Sequence, residues 1–150
     1  MRLHRLSTKI AAYPLWACVG LAACATDAVG VDSCRQIEYA RCDAASHCPG
    51  TFGTIKPATC RRFYRDHCLH GLAVGQDPGI AKVRDCVQAI ETLGKCVSTN
   101  SEAVNFSECG VSEFNNLSSK TVSACGLLAE PESLSACSFL NSAAASSDAG

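Results

Sequence analysis

Apolar and small residues recur at helical spacing in the stretch that begins near residue 31. Ser33 suits the N-cap of this stretch, because its hydroxyl can accept a hydrogen bond from the first turn of a helix. Pro49 and Gly50 break a helix, so the first helix is predicted to end near His47.

Two more helices are predicted before residue 94. Pro57 suits a first helical turn and Gly71 a C-terminal cap, which predicts a helix from 57 to about 69. Asp77 and the proline after it predict the start of a third helix over 78–93, which Gly94 ends. The residues of this third helix predicted to face the core are Ile80, Val83, Val87, Ile90 and Leu93.

The second half of the chain predicts shorter elements. A short helix is predicted over 99–109, with Val104 and Phe106 turned inward, and another from about Ser119 to Leu128. Pro131 predicts the start of a last helix over 131–141. Residues 142–150 are almost all Ala, Ser and Gly, which predicts a disordered tail.

The cysteines add a constraint to this pattern. Twelve of the 150 residues are cysteine, a content typical of a disulfide scaffold. Cys34 and Cys42 are separated by seven residues, and so are Cys60 and Cys68. If residues 31–70 form two antiparallel helices, one register brings Cys34 opposite Cys68 and Cys42 opposite Cys60. The spacing therefore predicts an antiparallel helical hairpin with two disulfide bridges.

The same reasoning gives weaker predictions for the later cysteines. An almost common antiparallel register pairs Cys96 with Cys125 and Cys86 with Cys137, which leaves Cys48 to pair with Cys109. Together with the helices, this predicts a small disulfide-rich all-α domain over residues 31–141. It would consist of the stapled hairpin (31–70) and three or four further helices.

The N-terminal residues have the features of an export signal. Arg2, Arg5 and Lys9 stand in the first nine residues with no acidic residue, and residues 10–23 are apolar or small. This apolar stretch is short for a membrane span and fits the middle of a signal peptide. The oxidised scaffold and the signal together predict an extracytoplasmic protein.

The signal ends in Leu21-Ala22-Ala23-Cys24, which resembles the lipobox of bacterial lipoproteins. The resemblance implies that residues 1–23 are removed and that Cys24 receives a lipid, palmitate among its acyl chains. Residues 24–30 would then be a short tether. Ala25 stands after the cysteine instead of Asp, and in Gram-negative lipoproteins this implies transfer to the outer membrane. The alternative is ordinary cleavage after Ala25, which gives a secreted or periplasmic protein without a lipid.

Charge excludes one class of partner and suggests another. The chain from residue 24 onward carries ten Lys and Arg against fourteen Asp and Glu, so no basic excess points to nucleic acid. Arg61, Arg62 and Arg65 lie beside aromatic residues in the second helix and are candidate contacts for anionic lipid head groups. The alternative is an ordinary solvated helix face.

Catalytic and metal sites have weaker support. A zinc site would use His47, Cys48, His67 and His70, but the regular spacing of zinc-binding cysteines is absent and an oxidising compartment favours disulfides. Asp66 before His67 reverses the order found in small secreted phospholipases, and no glycine-flanked serine motif is present. A reactive Cys48 is the third alternative. We therefore expect no catalytic centre, no metal and no cofactor.

These observations predict a lipid-anchored outer-membrane protein with a structural or binding role. Its partners would be the membrane, through the lipid, and a protein or anionic lipid that the sequence does not identify. A secreted binding domain and a small disulfide-stabilised hydrolase are the alternatives.

Overall fold

A computed structural model describes residue 28 and residues 30–74, 76–112 and 122–143. The predicted signal peptide, the lipobox with Cys24, and residues 144–150 of the predicted tail lie outside these ranges. Within them the chain is a disulfide-rich all-α domain, as predicted, and it contains no strand, only an isolated bridge between Asn105 and Ser123.

Five α-helices and four 3₁₀ helices make up the described part of the chain. The α-helices are α1 (Val31–Ala45), α2 (Pro49–Phe52), α3 (Pro57–His67), α4 (Ile80–Thr99) and α5 (Ala124–Ala129). The 3₁₀ helices are Cys68–His70, Phe106–Cys109, Pro131–Ser133 and Ser135–Ala143.

Helix α1 begins two residues before the predicted cap. Gly30 holds the N-cap position with φ of +69°, a left-handed conformation that favours glycine, and Ser33 lies inside the first turn. Pro49 ends the predicted helix as expected, but it also begins α2, because proline needs no N–H donor at a first helical position.

Helix α4 differs most from its prediction. It begins at Ile80, after Gly79, while the Asp77 carboxylate accepts a hydrogen bond from the Gly79 N–H at 2.9 Å. It then continues through Gly94 to Thr99. Gly94 is buried against α1, so at this position glycine permits a close helix contact and does not end the helix.

The later elements, in contrast, are shorter than predicted. Residues 99–109 contain the end of α4 and the 3₁₀ helix Phe106–Cys109, whose cap Asn105 accepts from the Ser107 N–H at 3.1 Å. The predicted helix over 131–141 is two 3₁₀ helices separated by Leu134, whose extended backbone places its side chain in the core. Of the helix predicted to begin near Ser119, residues 124–129 form α5.

Two disulfides join α1 to α3 and to the residue directly after it, as the cysteine spacing predicts. Cys34 is bonded to Cys68 and Cys42 to Cys60, each pair with a Cα–Cα distance of 5.6 Å. The hairpin register derived from the two seven-residue spacings is therefore the one that the structure contains.

Of the other three predicted bridges, Cys86–Cys137 is present and two are wrong. Cys48 is bonded to Cys125 instead of Cys109, and Cys96 to Cys109 instead of Cys125. Because α4 continues past Cys96 and the chain turns back at once, Cys109 lies nearby, thirteen residues later.

The backbone explains why Cys125 is then opposite Cys48. The Ala124 N–H donates to the Val104 carbonyl at 2.9 Å, which fixes the start of α5 beside the turn after α4. From there α5 packs against α1 and α2, where Cys48 stands between the two helices.

The core lies between α1, α4 and α5. Its largest fully buried side chains are aliphatic: Ile37, Val83, Ile90, Leu93, Leu127, Leu128 and Leu134. Ile80, predicted to join this stripe, is instead 89% exposed, because it is the first residue of α4 and precedes the part that packs on α1.

Arg41 connects α1 to the end of α5. Its Nε donates to the Leu128 carbonyl and its Nη2 to the Ala129 carbonyl, both at 3.1 Å, while Nη1 donates to Glu38 at 2.9 and 2.8 Å. Because only 18% of the Arg41 side chain is exposed, these charge-assisted bonds are shielded from water. They satisfy carbonyls that the end of a helix leaves without partners.

Candidate interaction surface

Helix α3 lies on the outside of the domain and has no buried residue. The bridges Cys42–Cys60 and Cys34–Cys68 hold its first turn and the residue that follows it to α1. Covalent attachment therefore replaces the apolar packing that normally fixes a helix, and most side chains of α3 are presented to the surroundings.

The three arginines predicted to contact anions have different neighbours. Arg61 is paired with Asp43 and lies over the Tyr39 ring, 5.8 Å from its centroid. Arg65 donates to Asp66 at 2.9 Å, and Arg62 is exposed on the outer side of the helix. The structure thus brings Arg61, Arg62 and Arg65 together on one helix but gives two of them carboxylate partners within the domain.

An aromatic row runs along one flank of α3 toward its C-terminal end. The Phe63 and His67 rings stack with centroids 5.4 Å apart, and His67 meets His70 edge-on at 6.4 Å. Tyr64 lies edge-on to both Phe63 and His67. Phe63 is 60% exposed, so the row forms part of the outer surface.

The aromatic row borders an open groove of about 520 Å³ between α3 and the loop before it. Ile55, Phe63 and Tyr64 supply its apolar walls, and Lys56 lies at its edge. A groove of this character can receive an apolar group beside a negative charge.

A second groove, about 280 Å³, lies between α1 and α4. On one side it is lined by Asp43 of α1 and by His47 of the turn after α1. On the other side it is lined by Glu91 and Lys95 of α4, close to the contact between Gly94 and Ala44. Ala44 of α1 lies against Gly94 of α4, and beyond the ends of both helices the Gly50 N–H donates to the Glu102 carboxylate at 2.8 Å. These two contacts show that α1 and α4 run in the same direction.

The common direction of α1 and α4 places the first residue of α4 at the end of the domain where the chain enters α1. We call this the entry end; it comprises Gly30, the first turn of α1, residues 68–72 and Ile80. Leu72 lies against Gly30: a β-carbon added to the glycine would stand 3.2 Å from the Cδ1 atom of Leu72. Leu69 and Ile80 are 58% and 89% exposed there.

A reactive thiol at Cys48 and a zinc site that includes Cys48 do not fit this geometry. Cys48 is fully buried and bonded to Cys125, so it supplies neither a nucleophilic thiolate nor a metal ligand. Within the described ranges no three His, Cys, Asp or Glu side chains are grouped so as to bind a metal ion.

The pKa values of Asp66 and Tyr64, both in α3, are shifted from their ordinary values. The hydrogen bond from Arg65 lowers the pKa of the exposed Asp66 carboxyl. This carboxylate is therefore paired with Arg65 and not with the neighbouring His67. Burial, and after it the negative charge of Glu38, raises the pKa of the Tyr64 phenol above its ordinary value.

Among the described residues, none of the helices is both long enough and apolar enough to span a bilayer. Comparison of the chain with protein-family models, with curated proteins and with solved structures finds no match in any of the three.

Proposed function

We propose that this protein is an exported lipoprotein whose stapled helical domain is held at a membrane by a lipid on Cys24 and serves as a binding module. The observation that carries the proposal is that all ten cysteines from Cys34 to Cys137 are joined in five bridges. Such a scaffold forms and persists in an oxidising compartment outside the cytoplasm.

The complete pairing also bears on the role of Cys24. Because the ten later cysteines satisfy one another, the domain needs no bridge to Cys24. That residue is left available for the lipid that its lipobox-like context implies. Cys24 precedes Gly30 by six residues, which span at most about 20 Å when extended. A lipid on Cys24 therefore keeps α1 close to the membrane surface.

A binding role fits the surface better than catalysis does. The aromatic row and the groove beside it are open and exposed, whereas catalytic groups act from sites that exclude water. The Asp66 carboxylate accepts hydrogen bonds from Arg65, so it does not orient His67 as a general base.

The experiment is a mass analysis of the N-terminus of the protein purified from membranes, together with the variant C24A. We expect a diacylglycerol-modified Cys24, and release of C24A from the membrane fraction. C18A is the matched control, since Cys18 lies within the apolar stretch of the signal and is expected to be discarded. A mature chain that begins at Thr26 without lipid would favour the secreted alternative and overturn lipid anchoring.

The variant A25D tests which of the two membranes receives the protein. Ala25 implies the outer membrane for a Gram-negative lipoprotein, and Asp at this place implies retention in the inner membrane. We expect density-gradient fractions to show wild type in the outer membrane and A25D in the inner one. Equal distribution of the two would contradict this sorting.

A further inference from the structure

Large apolar side chains are exposed at or near the entry end of the domain. The large exposed hydrophobic residues of the described ranges are Phe63, Leu69 and Ile80. Leu69 and Ile80 belong to the entry end, and Phe63 lies five residues before Cys68, about 8 Å along the helix axis. The three belong to separate elements, so their grouping is a product of the fold and not of one amphipathic segment.

The same end is the point at which the tether leaves the domain. Gly30 begins α1, and the Cys34–Cys68 bridge fixes the end of α3 beside the first turn of α1. With at most about 20 Å of chain between Gly30 and Cys24, the entry end is the part of the domain nearest to a lipid on that cysteine.

Charge at the entry end permits contact with a membrane surface. The basic and acidic side chains in and next to the entry end are nearly balanced: Arg35, Arg62, Arg65, Lys82 and Arg84 against Asp32, Asp66, Asp77 and Asp85. At the opposite end, the Glu102 carboxylate accepts a hydrogen bond from the Gly50 N–H, and Glu108 lies in the turn held by Cys96–Cys109. Because the residues near the entry end carry no net negative charge, an anionic leaflet does not repel this end.

We infer that Phe63, Leu69 and Ile80 form a second membrane contact, which seats the entry end in the head-group layer of the bilayer that holds the lipid on Cys24. A diacylglycerol anchor holds the domain at the membrane but does not set its orientation, and a second contact on the domain fixes that orientation. Histidines and arginines beside the apolar residues are suited to this layer, where one part of a side chain is apolar and another is hydrated. The inference rests on the proposed lipid anchoring.

The test uses a tryptophan introduced at each end of one helix. The only tryptophan of the chain is Trp16, which lies in the signal expected to be removed, so the mature lipidated protein has no tryptophan fluorescence of its own. I80W and S98W are compared in this mature protein. Ile80 and Ser98 are both exposed and are eighteen residues apart, which places them on the same face of α4 and about 27 Å from each other. They are therefore matched in all but their distance from the entry end.

Each lipidated variant is reconstituted in vesicles of phosphatidylethanolamine and phosphatidylglycerol, with and without brominated acyl chains. We expect the fluorescence of I80W to shift to the blue and to be quenched several-fold more strongly than that of S98W. L69W, which reports from the 3₁₀ helix after α3, is expected to match I80W. Circular dichroism and disulfide content check that each variant is folded.

Three results would overturn the inference while the protein still floats with the vesicles: equal quenching of I80W and S98W, quenching of neither, or a blue shift of I80W that bromine does not quench. The last would mean that a second copy of the chain covers the face. Failure to float would instead overturn the lipid anchoring, and the inference with it.

Discussion

Gly94 of α4 lies so close to Ala44 of α1 that a β-carbon on the glycine would stand 2.7 Å from that of Ala44 and 3.1 Å from its Cα. The two backbones could not approach in this way with any other residue at position 94. This contact brings α1 and α4 together over the buried stripe of Ile90 and Leu93.

The first prediction follows from this contact. G94A should lower the free energy of unfolding by about 1–2 kcal/mol, because overpacking outweighs the gain in helix propensity. The measurement is urea unfolding with the disulfides intact. G126A is the control, since its β-carbon would meet Ser123 at an ordinary 3.4 Å, and it should be neutral or slightly stabilising. Equal stability of G94A and wild type would contradict the packing described here.

The second prediction concerns the bridges that the cysteine spacing did not reveal. Lys95 and Lys120 enclose a stretch without another Lys or Arg, so trypsin releases residues 96–120 as one peptide. Because Cys96 is bonded to Cys109, a non-reduced digest should contain this peptide alone, lighter than its reduced form by the two thiol hydrogens.

The rival pairing gives a different digest. If Cys96 were bonded to Cys125 and Cys48 to Cys109, residues 96–120 would appear only in a species linked to the peptides that contain Cys48 and Cys125. Non-reduced peptide mass spectrometry separates the two patterns, and the linked species would refute the bridges of the structure.

The third prediction concerns Arg41. R41M should cost about 2–4 kcal/mol of unfolding free energy, because it leaves the Leu128 and Ala129 carbonyls and the largely buried Glu38 without their partner. R84M is the control: the Arg84–Asp85 pair is mostly exposed, so its removal should change stability by less than about 0.5 kcal/mol. Similar unfolding curves for the two variants would argue against the Arg41 contacts.

The fourth prediction is a loss of stability at alkaline pH through Tyr64. Burial and Glu38 raise the pKa of Tyr64 in the folded state above its ordinary 10.0, so the folded protein holds the phenolic proton more tightly than the unfolded chain does. The contribution is complete below pH 10 and disappears as the pH rises through the folded-state pKa.

Unfolding measured at brief exposure on either side of pH 10 should therefore show a fall in stability that Y64F reduces. Absorbance of the phenolate should show a late-titrating component that is lost in Y64F and retained in the control Y39F. A late component that survives in Y64F would assign it to another tyrosine.

The hairpin illustrates what could be predicted without a structure. Within one helix the positions of Cys34 and Cys42 relative to each other follow from the helical repeat, and the same holds for Cys60 in α3 and Cys68 directly after it. Two antiparallel helices then have only one register that joins all four, so local geometry was sufficient. The arginines of α3 were placed on one exposed helix for the same reason.

The later cysteines, Gly94 and Ile80 required tertiary information. Cys96 and Cys109 flank a turn, and Cys48 lies between two helices, so no helical repeat relates them to their partners. The sequence by itself determined the helical class, the oxidised scaffold and the α1–α3 register, because each depends on local spacing or on composition. Only the packing of α4 along α1 decided how the later cysteines pair, why Gly94 lies within a helix, and why Ile80 remains outside the core. These features depend on distances between segments that are far apart in the chain.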